Sequence, residues 1–100
     1  DAELLDAVAG EAARSIVRRR SDGGLTLRTG PLSRLPAPLA RRVARLALAR
    51  AGVDPRRIGA AHLAAVLDLT GGSDGRSADL PGGFVARRNR SLLIVGKRRS

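Results

Sequence analysis

Arginines recur one helical turn apart in a stretch that begins with Leu35-Pro36. Arg41 and Arg45 are four residues apart, and Arg42 lies beside them. Guanidinium groups form bidentate hydrogen bonds with phosphate oxygens, and residues four apart share one face of a helix. No Asp or Glu lies four residues from these arginines to neutralise them. The spacing therefore predicts a helix that packs through one side and offers cations to a polyanion on the other.

A second group of candidate phosphate ligands falls near the C-terminus. The ranges 84–88 and 91–95 are predicted to be strands of a hairpin that turns at Asn89-Arg90. Asp79-Leu80-Pro81-Gly82-Gly83 is predicted as the turn that leads into it. The hairpin carries the second set of candidates, which are Arg87, Arg88 and Arg90.

The charge of the chain is large and unevenly distributed. The net charge is +10, with six arginines and no acid over 25–52, and seven bases against one acid over 76–100. Arginine outnumbers lysine eighteen to one, as GC-rich codon usage favours, but that bias does not explain the scarcity of acids. Two separate basic blocks favour a polyanionic partner over a generic solvated surface.

The sequence contains no recognisable set of catalytic or metal-binding residues. Without cysteine there are no disulfides or thiolate metal sites, and His62, the single histidine, cannot form a zinc site by itself. The segment 70–75 approaches the phosphate-binding signature of pyrophosphate-loop ATPases. However, a predicted helix precedes it and no parallel sheet can be assembled, so we interpret it as a connector. We predict no catalytic residue, no metal and no cofactor in the chain as a whole.

The predicted fold class is α+β, mostly helical, with three helices, the C-terminal hairpin and a short additional strand at 25–28. The helices are expected over 2–20, 36–51 and 59–70. In the first, an apolar stripe is formed by Leu4, Leu5, Val8, Ala12 and Ile16. The arginines at its end, 18–20, are attributed to the helix dipole and to solubility in preference to a phosphate contact. His62 lies in the first turn of the third helix, where a structural role is expected.

The longest apolar runs are far shorter than the roughly 18 residues that span a bilayer, and no signal peptide is visible. We therefore expect a cytoplasmic protein with no membrane partner.

Over 35–95 the chain resembles the domain that follows the catalytic domain in tRNA(Ile)-lysidine synthetases. The family's first helix is matched by Leu35, Pro36, Leu39, Arg41, Arg42, Val43 and Arg45. Its next helix is matched by 62–69, its Asp-Leu-Pro-Gly-Gly turn by 79–83, and its basic strand by 85–88. The sequence departs from the family at the hairpin turn, where Arg90-Ser91 replaces a Tyr-Gly pair.

The resemblance implies a tRNA-binding role. The whole enzyme is a ligase that uses ATP to adenylylate the wobble cytidine of an isoleucine tRNA, after which lysine displaces AMP. ATP and lysine belong to the N-terminal catalytic domain, which this chain lacks and which is an implied partner. This chain would hold the anticodon arm. As one domain over 1–100, it would comprise a connector helix and turn (1–24), a tRNA-binding core (25–95) and a basic tail (96–100).

Two other functions fit the same residues. One is a stand-alone nucleic-acid-binding module, which the arginine excess fits equally well, although no helix-turn-helix pattern is evident. The other is a structural or subunit-contacting domain whose basicity is compositional. Arg42 flanks the apolar side of its helix, so its alternative role is an ion pair with an acid such as Asp79. The oligomeric state, including a homo-oligomer, stays open.

Overall fold

Four helices and one antiparallel sheet form residues 2–98, the part of the chain that the computed structural model describes. The helices are α1 (Ala2–Ile16), α2 (Thr29–Ser33), α3 (Ala37–Ala51) and α4 (Ala60–Asp68). The strands are β1 (Val17–Arg19), β2 (Leu25–Arg28), β3 (Ser77–Leu80), β4 (Phe84–Asn89) and β5 (Leu92–Lys97). They are ordered β1-β2-β5-β4-β3, and every neighbouring pair is antiparallel. The α+β prediction is confirmed.

Helix α3 begins and ends where its sequence signals predict. Pro36 precedes its first residue, and proline's fixed φ suits a helix start. Gly52 follows its last residue with a left-handed φ of 113°, and its N–H donates to the Ala49 carbonyl. One side of α3 is buried, formed by Ala40, Val43, Ala44, Ala47 and Leu48. The arginines of this helix lie on the other side.

Helix α1 is shorter than predicted, because the chain leaves it at Ile16 and enters β1. The turn after β1 is closed by the Asp22 carboxylate, which accepts a 3.0 Å hydrogen bond from the Gly24 N–H. Pairing of β1 with β2 then places Arg18 and Arg19 on an edge strand. The attribution of residues 18–20 to the dipole of a helix end is therefore wrong.

The apolar stripe of α1 also differs from the expectation. Its buried positions are Ala9, Ala13 and Ile16, which face α3 and the sheet, whereas Leu4 is 64% and Val8 43% exposed. Small residues at the contact allow two helices to approach closely, so α1 packs through its alanines. Two of the larger residues of the predicted stripe, Leu4 and Val8, are thus left outside the core.

The C-terminal hairpin is confirmed with shifted bounds: β4 ends one residue later than predicted, and β5 begins one residue later and ends two residues later. The turn of this hairpin is therefore Arg90-Ser91 and not Asn89-Arg90. The sheet also contains β3, which the sequence analysis missed, because Asp79 and Leu80 end a strand instead of belonging to the turn. The turn itself is Pro81–Gly83, with Gly82 at a φ of 77°. β5 runs to Lys97, two residues into the predicted tail, and the Arg98 N–H donates to the Gly83 carbonyl at 2.7 Å. Residues 99–100 of that tail lie outside the described part.

The molecule has two layers, with helices packed on one face of the sheet. That face supplies Leu25, Leu27, Ala86, Leu93 and Val95, all at most 1% exposed. Burial of these aliphatic side chains against α1 and α3 is the main stabilising term. The opposite sheet face has no buried side chain among the described residues. Within residues 2–98, no helix is long and apolar enough to cross a membrane.

Candidate nucleic-acid interface

The exposed side of α3 borders an open groove of about 710 Å³ that reaches α1 and α4. Leu46, Ala49 and Leu63 contribute apolar surface to this groove. Three of the six predicted arginines line the same groove, namely Arg41, Arg42 and Arg45. The structure therefore brings the α3 candidates together on one surface, which we call the helical groove.

Arg41 and Arg45 differ in how firmly they are held. Arg45 is exposed, and its Nη1 donates a 3.1 Å hydrogen bond to the Ile58 carbonyl just before α4. This bond fixes one nitrogen and leaves the other N–H groups of the guanidinium for a ligand. Arg41 is also exposed, and within residues 2–98 it makes no ion pair or side-chain hydrogen bond. The groove thus presents one braced cation and one unpaired cation, one helical turn apart.

Arg42 is engaged in the fold. Its Nη1 donates to the Asp6 carboxylate at 2.9 Å, and this ion pair joins α3 to α1. The expectation that Arg42 pairs with an acid is confirmed, but the partner is Asp6. Asp79, the suggested partner, instead pairs with Arg98. Asp6 lines the groove as well, so it reduces the positive charge there.

Arg88 is a structural residue as well. Its side chain points toward the covered side of β4, where Nη1 donates to the carbonyls of Leu69 and Thr70. Its Nε donates to the Arg90 carbonyl at 2.8 Å. These bonds tie the hairpin turn to the end of α4 and engage much of the guanidinium in the protein itself.

Arg87 and Arg90 are exposed but do not line the helical groove. Arg87 lies on the face of the sheet away from the helices, which we call the open face, because it alternates with the buried Ala86 along β4. Arg90 occupies the hairpin turn with a φ of 56°, and its backbone N–H donates to the Asp74 carboxylate at 2.7 Å. The six predicted arginines therefore do not form a single surface.

His62 has the structural role that was expected. Its Nδ1 accepts a 3.0 Å hydrogen bond from the Gly59 N–H, which satisfies a backbone donor at the start of α4. Among the described residues, no group of three or more His, Cys, Asp or Glu could hold a metal ion. The connector over 70–75 contributes the Thr70 carbonyl and the Asp74 carboxylate as acceptors for Arg88 and Arg90.

Two carboxyls elsewhere on the surface have a lowered pKa. The hydrogen bond from the Gly24 N–H lowers the pKa of Asp22, with a further contribution from the nearby Arg20. The side-chain hydrogen bond from Arg56, followed by that from the Arg56 N–H, lowers the pKa of Asp54. Both acids stabilise turns, at the ends of β1 and α3, and neither contacts the predicted phosphate ligands.

Sequence reasoning placed Arg18 at the end of a helix and ranked a phosphate contact there second, so it missed the position of Arg18 on the sheet. It lies on β1, whose register pairs it with Thr26, and both belong to the open sheet face. The signal was available: Ser21-Asp22-Gly23-Gly24 is a turn sequence immediately before a predicted strand. A turn followed by a strand predicts a hairpin partner upstream, which would have placed residues 17–19 in the sheet.

Fold and surface together define a small, basic α+β domain that presents arginines at an open groove. The model of the family described as the TilS substrate binding domain matches residues 27–93. The chain therefore belongs to this family, the C-terminal non-catalytic domain of tRNA(Ile)-lysidine synthetase, as the motifs had indicated. The match begins in β2, so α1 and β1 lie outside it. No curated protein matches the chain.

Proposed function

We propose that this domain binds an isoleucine tRNA and orients its anticodon arm for a tRNA(Ile)-lysidine synthetase. The observation that carries the proposal is the pair Arg41 and Arg45 on the exposed side of α3. Phosphate contacts from such residues fix the register and orientation of a nucleic acid but carry no sequence information. The domain therefore acts by slowing dissociation and by positioning the substrate, and base recognition is left to other parts of the enzyme.

The helical groove suits a ribose-phosphate backbone better than a stacked base. The sole aromatic residue of the chain, Phe84, is 8% exposed and lies in the core. Aromatic platforms are the usual means of holding unpaired bases, so the described surface offers only guanidinium planes for that purpose. We expect affinity to come from phosphate neutralisation and to depend strongly on salt.

The chemistry of the proposed enzyme lies outside this chain. A cytoplasmic ligase of this family would adenylylate the wobble cytidine with ATP, and lysine would then displace AMP. This domain would supply neither ATP nor lysine contacts. It would raise the rate of turnover by increasing the fraction of bound tRNA whose anticodon is held at the catalytic domain.

The test is fluorescence-anisotropy binding of the chain to an isoleucine tRNA transcript and to a DNA duplex of equal length. We expect tighter binding to the tRNA. Arg41→Ala/Arg45→Ala should raise Kd about tenfold, which corresponds to about 1.4 kcal/mol shared by two contacts.

A charge-matched control separates site from net charge. Arg14→Ala/Arg50→Ala also removes two cations, from exposed positions of α1 and α3 that do not line the groove. We expect less than a threefold change in this control. Equal losses in the two double variants, or equal binding of tRNA and duplex, would reduce the surface to a generic polyanion binder and contradict the proposal.

A further inference from the structure

The sheet presents a second basic surface on the side away from the helices. Its register places four side chains in one row across four strands: Arg18 pairs with Thr26, Thr26 with Ile94, and Ile94 with Arg87. Directly paired residues of an antiparallel sheet point to the same face. None of the four is buried, whereas their neighbours Leu25, Leu27, Leu93 and Val95 form the core. The row therefore lies on the open face.

Three arginines surround an aliphatic centre on this face. With strands about 4.8 Å apart, the backbones of Arg18 and Arg87 are separated by about 14 Å. Arg28 lies two residues from Thr26 on β2, beside Leu92 of β5. Arg28 Nη1 contacts the Ser15 carbonyl at 3.4 Å. Among residues 2–98, Arg18 and Arg87 make no ion pair or side-chain hydrogen bond.

The face is strongly unbalanced in charge. Asp79 is the one acid among the described strand residues that point this way, and it is already paired with Arg98. The remaining positions of this face are half-buried aliphatic side chains at the centre and polar or glycine residues around them: Val85, Leu92, Ile94, Thr26, Ser77, Asn89 and Gly96. A basic face with no aromatic residue fits the sugar-phosphate backbone of a paired RNA arm, which is contacted through phosphates and ribose hydroxyls.

This face and the helical groove lie on opposite sides of the domain. The buried side of α3 faces the sheet, and Arg41 and Arg45 project from the other side of that helix. The short axes of the molecule measure 27 Å, so one straight stretch of RNA cannot contact both surfaces. From this geometry, and given the tRNA binding proposed above, we infer that the open sheet face is a second RNA-binding surface. It holds a paired segment of the tRNA separate from the segment at the groove.

The experiment is hydroxyl-radical footprinting of the tRNA bound to the chain, combined with affinity measurements. Two protected segments are expected with the unmodified chain. Arg18→Ala/Arg87→Ala should remove one of them and raise Kd about fivefold at low salt, and Arg41→Ala/Arg45→Ala should remove the other. Both residues of the sheet pair are exposed, so the variant should keep its melting temperature, which circular dichroism checks.

The outcomes separate this inference from the proposed function. If the unmodified chain protects one segment, and only Arg41→Ala/Arg45→Ala removes that protection, the proposal of a second surface is overturned. The proposal of tRNA binding would stand. An unchanged footprint in Arg18→Ala/Arg87→Ala would have the same two consequences. No protection at all with the unmodified chain would overturn both proposals.

Discussion

The Arg42 guanidinium lies 2.9 Å from the Asp6 carboxylate, although the two residues are thirty-six positions apart in the chain. The pair connects α3 to α1 and is partly exposed, with 36% of the Arg42 and 68% of the Asp6 side chain accessible. Exposed ion pairs contribute at most about 1 kcal/mol to stability. The pair therefore matters more for the charge of the helical groove than for the fold.

Removal of the Asp6 carboxylate should strengthen RNA binding. In Asp6→Ala the Arg42 guanidinium becomes available to phosphate, and the groove loses its negative charge. We expect Kd for tRNA to fall about threefold, with a loss of stability below about 1 kcal/mol. Asp68→Ala, an exposed acid on α4 outside the groove, is the matched control, and anisotropy titrations compare the two. Equal effects would show that only net charge matters.

Arg87 and Arg88 are neighbours in sequence with opposite expected roles. Arg88→Ala removes the Arg88 donor from the Thr70 carbonyl and leaves the Leu69 carbonyl with only the Gly72 N–H, and Leu69 is buried. Loss of hydrogen bonds to a charged donor costs about 1.5 to 3 kcal/mol, which urea denaturation would measure. Arg87→Ala should change the free energy of unfolding by less than about 0.5 kcal/mol, because its side chain is exposed. Similar destabilisation by both substitutions would refute the assignment of Arg88 as the structural arginine.

Acid should weaken the turns at Asp22 and Asp54. Both have a lowered pKa in the folded chain, so their ionised forms stabilise it, and this contribution is present above the unfolded pKa of about 3.9. It is lost as the pH falls through the folded pKa. Asp22→Asn/Asp54→Asn keeps the acceptor oxygens but removes the titration. Between about pH 5 and about pH 3, the melting temperature of this variant should fall less than that of the unmodified chain. Parallel curves would contradict the prediction.

Two glycines give a paired test of the backbone. Gly52 has a φ of 113°, and a Cβ there would lie 3.0 Å from the Phe84 ring, so Gly52→Ala should destabilise by about 1 to 3 kcal/mol. Gly10 lies inside α1 with open space around it, and Gly10→Ala should stabilise by up to about 1 kcal/mol. Thermal unfolding of both variants checks the signs. A neutral Gly52→Ala would mean that the end of α3 tolerates a different conformation.

The elements that local sequence specifies were predicted well. The bounds of α3 follow from a helical period, a proline before it and a glycine after it, all of which lie within the segment. β2 was predicted with its observed bounds because the signals that define it are likewise local in the sequence. β1 was missed because its residues were predicted to form the end of the first helix, although the turn at 21–24 indicated a hairpin. β3 was missed because Asp79 and Leu80 were assigned to the turn before β4, and its pairing with β4 is visible only in the assembled sheet.

The candidate site was less predictable than the fold. Sequence spacing identified the cations on α3 and offered an ion pair as the alternative role of Arg42, but it named the wrong acid and did not foresee the bonds of Arg88. Arg42 is paired by an acid on another helix, and Arg88 by carbonyls eighteen and nineteen positions earlier. Conversely, Arg18 joins the surface of the sheet only because β1 pairs with β2. The division between structural and available arginines is a property of tertiary contacts.

The most direct test of the central claim is the salt dependence of tRNA binding in the Arg41→Ala/Arg45→Ala variant. The slope of log Kobs against log salt should be shallower by about 1.4 than that of the unmodified chain, at about 0.7 per lost phosphate contact. Arg14→Ala/Arg50→Ala should leave the slope within error of the unmodified value. A groove variant whose slope is unchanged would contradict the claim that α3 contacts the phosphates of the tRNA.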